Sequence, residues 1–393
     1  MSYINGLNQR QKEAVLHTEG PLLIVAGAGA GKTKTITHRI AHLMARGTPA
    51  HRILAVTFTN KAAGEMRERV RTLLAGQSAM PLITTFHSLG VRLLREFHQI
   101  AELPRNFTIW DRDDSTKAIK RFQGEAEEQG SKARAIISAI SREKGNGVSA
   151  AMYEEGAKTF RELEIARLWR GYETALSEEG ALDFDDLLLR TAHLLRSSET
   201  TLARLRERFT YITIDEYQDT NRVQYEIARL LAGEKQNICV VGDIDQNIYS
   251  WRGADIEHLL SFEKMFPGAA TVLLEQNYRS TRTILAAANG VISKNLRRHE
   301  KNLFTENETG EPLALYGARN EIDEAWFVAT TAQQLIENGT AAGEIAVLYR
   351  ENFQSRAIEE GLLHLNVPYR VLGTRFFERK EVKDLLSYIR AAL

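Results

Sequence analysis

Leu22-Leu23-Ile24-Val25-Ala26-Gly27-Ala28-Gly29-Ala30-Gly31-Lys32-Thr33 decides how this chain is read. The apolar run Leu22–Ala26 is too short for a helix and predicts a buried strand. It breaks into alternating glycines at Gly27, Gly29 and Gly31, and Lys32-Thr33 open a helical stretch reaching about Arg46. Strand, glycine loop, helix is the context of a phosphate-binding loop. The glycines let backbone N–H groups turn inward, and the helix N-terminus adds positive potential. In that pattern Lys32 reaches the β- and γ-phosphates and the Thr33 hydroxyl ligates Mg²⁺. Ala26 stands where the strict motif has its first glycine, a small residue that still permits the turn. Ala26 to Thr33 is therefore the expected cradle for a nucleotide.

Outward from this loop, apolar segments recur with helical stretches between them: Ile53–Thr57, Leu82–Thr84, Tyr211–Asp215, Asn237–Asp243 and Thr271–Leu274. Such alternation predicts a parallel sheet covered on both faces. Upstream, Asn8 is placed to cap a helix that begins near Gln9. The alternation stops between about Asn106 and Leu189, where Ile165, Leu168, Tyr172 and Leu176 share one helical face; this reads as a helical insertion. Its Asp183-Phe184-Asp185-Asp186 is read as a helix N-cap and first turn in preference to a metal cluster. From Glu275 a second α/β unit is expected, with helices over Ile322–Leu335, Ala357–Leu365 and Glu381–Leu393 and strands at Glu344–Tyr349 and Pro368–Leu372.

Two strand ends carry further chemistry. Tyr211–Ile214 runs into Asp215-Glu216, and beside a phosphate loop such a pair places Asp215 on Mg²⁺ and Glu216 on the attacking water. The next apolar run ends in Gly242-Asp243-Ile244-Asp245-Gln246, near enough for Gln246 to meet a γ-phosphate. It continues into Tyr249-Ser250-Trp251-Arg252-Gly253, where Trp251 with Arg252 forms a candidate stacking platform for bases.

Composition sets bounds. Lys+Arg and Asp+Glu are both 51 among 393 residues, so nucleic-acid binding needs a local groove, because the chain as a whole has no attractive field. The single cysteine, Cys239, excludes a disulfide framework, suits a reducing compartment, and lies in an apolar run where it packs. The N-terminus has no basic-then-apolar signal and no run reaches transmembrane length, so a cytoplasmic protein without membrane contact is expected.

Together, these motifs resemble the UvrD/Rep/PcrA group of superfamily 1 DNA helicases. The likeness runs through Leu7-Asn8-x-x-Gln11, Ala26–Thr33, Thr57-Phe58-Thr59-Asn60-Lys61-Ala62-Ala63 and Thr85-Phe86-His87-Ser88. It continues through Asp215-Glu216-Tyr217-Gln218-Asp219, Val241-Gly242-Asp243-x-Asp245-Gln246 into Trp251-Arg252-Gly253-Ala254, and Gln276-Asn277-Tyr278-Arg279-Ser280-Thr281. Val347-Leu348-Tyr349-Arg350 and Phe376-Phe377-x-Arg379-Lys380-Glu381 complete it. The resemblance implies that Gln11 reads the adenine of ATP, that Tyr278 stacks on it, and that Arg279 is an arginine finger. It implies that Gln246 couples the γ-phosphate to the loop carrying Tyr249, Trp251 and Arg252. Phe58, Asn60, Lys61 and His87 would face single-stranded DNA, and movement would run 3′ to 5′. Ser250 replaces a usual basic residue, the turn at Gly373 is one residue short, and later family motifs are missing from these residues.

The expected fold is an α/β P-loop NTPase. One RecA-like parallel-sheet domain covers 1–105 and 190–272, a helical insertion covers 106–189, and a partial second RecA-like domain covers 273–393. The expected function is an ATP- and Mg²⁺-dependent DNA helicase or single-strand translocase of repair or replication. It would act at single-strand/double-strand junctions, with protein partners open. Because the late motifs are missing, the chain is expected to be the N-terminal portion of a longer helicase, impaired when isolated. The alternatives are the helicase part of a helicase–nuclease and a non-catalytic, nucleotide-gated DNA-binding fragment. A P-loop kinase leaves the Trp251 loop unexplained.

Overall fold

The computed structural model describes residues 2–74, 79–123, 129–250, 253–295 and 301–372. Eight strands occur among them: β1 (Leu22–Ala26), β2 (Ile53–Thr57), β3 (Leu82–Thr85), β4 (Thr108–Ile109), β5 (Ala181–Leu182), β6 (Tyr211–Ile214), β7 (Ile238–Gly242) and β8 (Ala270–Leu274). Six form one parallel sheet in the order β3-β2-β6-β7-β1-β8. β1 lies between β7 and β8, with Ile24 opposite Val241 on one side and Val272 on the other.

The sequence explains why β1 is interior. Its five residues are all apolar and buried, as a strand covered on both faces requires. Leu23 and Val25 join a core with Val56, Phe86, Leu187 and Ile212. Leu22, Ile24 and Ala26 point the other way, into a core with Ile36, Ile40, Ile53 and Val241. Cys239 is fully buried in that second layer, as its apolar surroundings predict.

The helical insertion has its own core of Trp110, Ile119, Ile140, Ile165, Leu168, Trp169, Tyr172 and Leu176. The short parallel pair β4–β5 closes its base. Asp183 caps the helix Phe184–Ser197 through a capping box with Asp186, as expected. The sequence had not shown what lies against that cap. The fully buried ammonium of Lys144 sits between Asp183 (2.8 Å), Asp186 (2.7 Å) and Glu173 (2.9 Å), and Tyr172 donates its hydroxyl to Asp183 at 3.0 Å. Lys144 ends the insertion helix Gln129–Gly145, so one cation joins the insertion to the helix that returns to the sheet domain.

By contacts the chain divides into two compact units, Met1–Glu311 and Pro312–Leu393. By contacts, residues 275–295 and 301–311 group with the first unit. In the second unit the helices Glu321–Glu337 and Ser355–His364 pack through Ala329, Ala332 and Leu362. Gly361 makes that approach possible, since a Cβ there would lie 2.9 Å from the Ala325 carbonyl oxygen. Two expectations need correction here. Glu344–Tyr349 and Pro368–Leu372 form no strand among the described residues. Alternating apolar residues become a strand only beside a ladder partner, and Leu348, 93% exposed, has not found a packed face. The expected helix over 381–393 and the motif from Phe376 lie outside the described residues, as do Trp251 and Arg252.

Candidate nucleotide site and nucleic-acid face

In a parallel sheet, ligands bind beyond the carboxyl ends of the strands. Ala26, Thr57, Thr85, Asp215, Asp243 and Glu275 all leave the sheet at that edge, which gathers motifs scattered over 250 residues. The phosphate loop forms as its glycines require. Gly29 and Gly31 adopt φ of +69° and +80°, conformations that strain other residues. Gly31 begins the helix Lys32–Ala45 without a side-chain cap, so its first N–H groups point into the loop. A Cβ at Gly31 would approach the Gln11 amide to 2.7 Å, and one at Gly29 would approach Asn277 and Arg279 equally closely. The cradle therefore tolerates no side chains at these positions.

Lys32 Nζ donates to Glu216 Oε2 at 2.7 Å and to Gln246 Oε1 at 3.1 Å. Gln218 Nε2 donates to the same Glu216 oxygen at 2.8 Å, while Gln218 Oε1 accepts from the Asp243 backbone N–H at 2.9 Å. Gln246 Nε2 then donates to Asp243 Oδ2 at 2.7 Å, closing a ring of five residues from three strand ends. Glu216 has φ +50°, rare for a residue with a Cβ. That backbone turn aims its carboxylate at Lys32. Burial, with a smaller push from the Glu216 charge, raises the neighbouring Asp215 carboxyl to about 6. A desolvated acid next to a second acid is where a divalent cation relieves repulsion. Among the described residues no three acids or imidazoles gather as a metal cage. Mg²⁺ commonly takes one or two protein oxygens and completes its shell with phosphate and water, so Asp215 and Thr33 fit it.

On the adenine side, Gln11 Oε1 accepts from Asn8 N (3.1 Å) and its Nε2 donates to Ala30 O (3.1 Å). Gln11 thus braces the phosphate loop. Tyr278, half exposed, joins its hydroxyl to Asn8 and Gln276, each at 2.8 Å. Its backbone N–H donates to Gly29 O at 3.0 Å, and Asn277 Nδ2 donates to Ala28 O at 2.7 Å. Asn277 also accepts from the N–H of Arg279 at 2.9 Å, which fixes the Arg279 backbone against the loop. Gln218, Asp243 and Asn277 lie within the motifs, where their residue types suggest no role. Their hydrogen bonds show that they hold the named residues in place.

On the predicted nucleic-acid face, Phe58 stacks on Tyr249 with centroids 5.0 Å apart. Asn60 accepts from Thr85 and Ser88, each at 3.4 Å. Lys61 projects into solvent beside Glu65. His87 meets the exposed ring of Phe184 edge-on, and burial keeps its imidazole below its ordinary pKa. Phe58 and His87 also line a cavity of about 530 Å³, with Arg112 and Arg142 of the insertion and Asp185 and Asn221. Sequence reading missed the two arginines because the insertion carries no motif. Only folding brings its helices to this edge.

A family model described as the UvrD/REP helicase N-terminal domain matches residues 7–267, and one described as the UvrD-like helicase C-terminal domain matches 272–393. The second match overturns the expectation that the chain lacks its C-terminal helicase part, and with it the reason for expecting impairment. ATP-dependent DNA helicase PcrA of Staphylococcus aureus is 46% identical over 391 residues, covering 98% of this chain and 54% of that protein. PcrA of Staphylococcus epidermidis is 45% identical with the same coverage, so the chain spans about half the length of the curated relatives it matches. Among the described residues no helix is long and apolar enough to cross a membrane. The chain belongs to the UvrD/REP helicase family.

Proposed function

We propose that this chain couples ATP hydrolysis to movement along single-stranded DNA, acting as a 3′-to-5′ helicase at single-strand/double-strand junctions in repair or replication. The observation that carries this reading is the closed ring of Lys32, Glu216, Gln218, Asp243 and Gln246, because it joins a phosphate-binding lysine to the loop bearing Tyr249. The relatives' description as ATP-dependent DNA helicases supports it.

Lys32 is shared by two tasks. Paired with Glu216, it neutralises the residue assigned to the attacking water. Turned toward a γ-phosphate, it leaves the Glu216 carboxylate free to accept a proton from that water. Thr33 and Asp215 would hold a Mg²⁺ ion arriving with ATP, which would neutralise charge on the phosphates. Arg279 adds positive charge at the same phosphates, and Gln11 and Tyr278 orient the base. Phe58, Asn60, Lys61 and His87 bind the strand, with Tyr249, Trp251 and Arg252 on the coupled loop. The domain limits proposed with this mechanism are 1–105 with 190–272, 106–189, and 273–393. The separate core of the insertion supports the second of these.

The test is steady-state ATPase with and without single-stranded DNA, together with strand displacement on duplexes tailed at either end. Stimulation by DNA and unwinding of the 3′-tailed duplex alone are expected. Preference for a 5′ tail reverses the polarity, and binding without turnover leaves a nucleotide-gated DNA-binding protein.

A further inference from the structure

Lys301-Asn302-Leu303-Phe304 has no part in the motifs above, yet it lies along three parts of the nucleotide site. The buried ammonium of Lys301 pairs with Asp243 Oδ1 and, at 3.0 Å, with Asp245 Oδ2. Leu303 packs on the phosphate loop at Gly27, where an added Cβ would collide with its methyl groups. Phe304 bridges Gln276 in parallel, donating its N–H to Glu275 O (3.1 Å) and accepting from Asn277 N (2.7 Å). Lys301, Leu303 and Phe304 therefore touch the end of β7, the phosphate loop and the stretch that carries Tyr278 and Arg279.

Asp243 is the hub of this arrangement. Its Oδ2 accepts from Gln246, and its Oδ1 accepts from the Asp245 backbone N–H at 3.0 Å as well as from Lys301. A buried carboxylate facing a buried ammonium is held firmly, because separating the two leaves each charge desolvated. Gln246, by contrast, is only half buried and shares its Oε1 with Lys32.

We propose that Lys301 is a positioning residue that makes Asp243 a fixed pivot. When Lys32 turns from Gln246 to a phosphate, the displacement of Gln246 then passes into the loop bearing Tyr249. Without Lys301, rotation of the Asp243 side chain absorbs that displacement. The proposal rests on the reading of Ala26–Thr33 as the ATP site, and it concerns the coupling of ATP to DNA rather than the binding of either.

Coupling is measurable as a ratio of affinities, without turnover. The full chain is titrated with a fluorescent oligo-dT single strand, with and without the non-hydrolysable analogue AMPPNP and Mg²⁺. In the wild-type chain the nucleotide should shift the DNA Kd at least fivefold. In Lys301→Met the shift should fall below twofold, while AMPPNP affinity and nucleotide-free DNA affinity stay within threefold of wild type. Lys301→Arg should restore at least half of the shift. Lys301→Met strands buried charge, so the paired variant Lys301→Gln with Asp245→Asn, which removes the cation together with one of its two carboxylate partners, serves if melting shows loss of fold; it should show the same lost shift.

A Lys301→Met chain with the wild-type shift overturns the proposal. So does loss of both affinities together in the folded paired variant, which marks Lys301 as merely structural. A wild-type chain that binds AMPPNP and shows no shift overturns the coupling alone. One that binds no AMPPNP overturns the ATP-site reading beneath it.

Discussion

Glu216 shows how much a single residue reports about this site. A φ of +50° costs a residue with a Cβ on the order of 1–2 kcal/mol, and the surrounding ring of hydrogen bonds holds it there. Glu216→Gln keeps the shape and the Lys32 contact but removes the proposed proton acceptor. ATP turnover should fall roughly 10²–10⁴-fold, as for loss of a general base, with nucleotide affinity nearly unchanged in an equilibrium titration. Lys32→Ala should do the reverse to binding. Hydrogen bonds to a charged group contribute about 1.5–3 kcal/mol, so ATP affinity should drop roughly ten- to more than a hundredfold while the melting temperature holds. Unchanged affinity would remove Lys32 from the phosphates. At the other face, Phe58→Ala takes away one half of the Phe58–Tyr249 stack. Single-strand affinity should weaken by about 1–3 kcal/mol with little dependence on base, read by fluorescence anisotropy.

At the scale of elements, the positions of side chains follow from where strands and helices end. The helix Lys32–Ala45 starts at a glycine with left-handed φ and no side-chain cap, whereas the helix Phe184–Ser197 starts with a full capping box. The first leaves its N–H groups for a ligand, and the second satisfies them internally. The acids of that second start bind Lys144 instead. Removing one partner from a buried ion cluster costs about 3–5 kcal/mol, so Lys144→Met should lower the unfolding free energy by roughly that much. The pH dependence identifies the cause. In the variant, Asp183 and Asp186 are desolvated with no cation between them, so their folded pKa values lie above the unfolded ones. The penalty is then full at high pH and fades as pH falls through those raised values. Calorimetry should find a smaller loss at pH 5 than at pH 8; an equal loss at both would point to packing alone.

For the whole molecule, charge balance is the governing constraint. With 51 cationic and 51 anionic side chains, the proposed DNA binding requires a local groove, and its salt dependence would count the phosphates met there. Lys61 extends into solvent, with Glu65 at 3.9 Å. Lys61→Ala should lower the slope of log Kd against log salt by about 0.7, the value for one single-strand phosphate contact. An unchanged slope would place Lys61 off the strand. Arg112 and Arg142 invite the same measurement, since the cavity they line joins the insertion to Phe58 and His87.

The sequence alone determined the sheet of the first unit, because runs such as Leu22–Ala26 and Ile238–Gly242 are too apolar and too short for anything but interior strands. It also determined the phosphate loop, since alternating glycines before Lys32-Thr33 have few other physical uses. These signals are local: backbone freedom, periodicity and capping act within a few residues of each other. What folding alone decided depends on residues far apart in the chain. Lys144 meets Asp183 across 39 positions, Lys301 meets Asp243 across 58, and Lys32 meets Glu216 across 184. No spacing rule pairs such charges, because the pairing depends on which strand ends become neighbours. The two strands expected after Glu344 did not form for the same reason: a strand exists only with a partner, and their residues could not say whether one lies beside them.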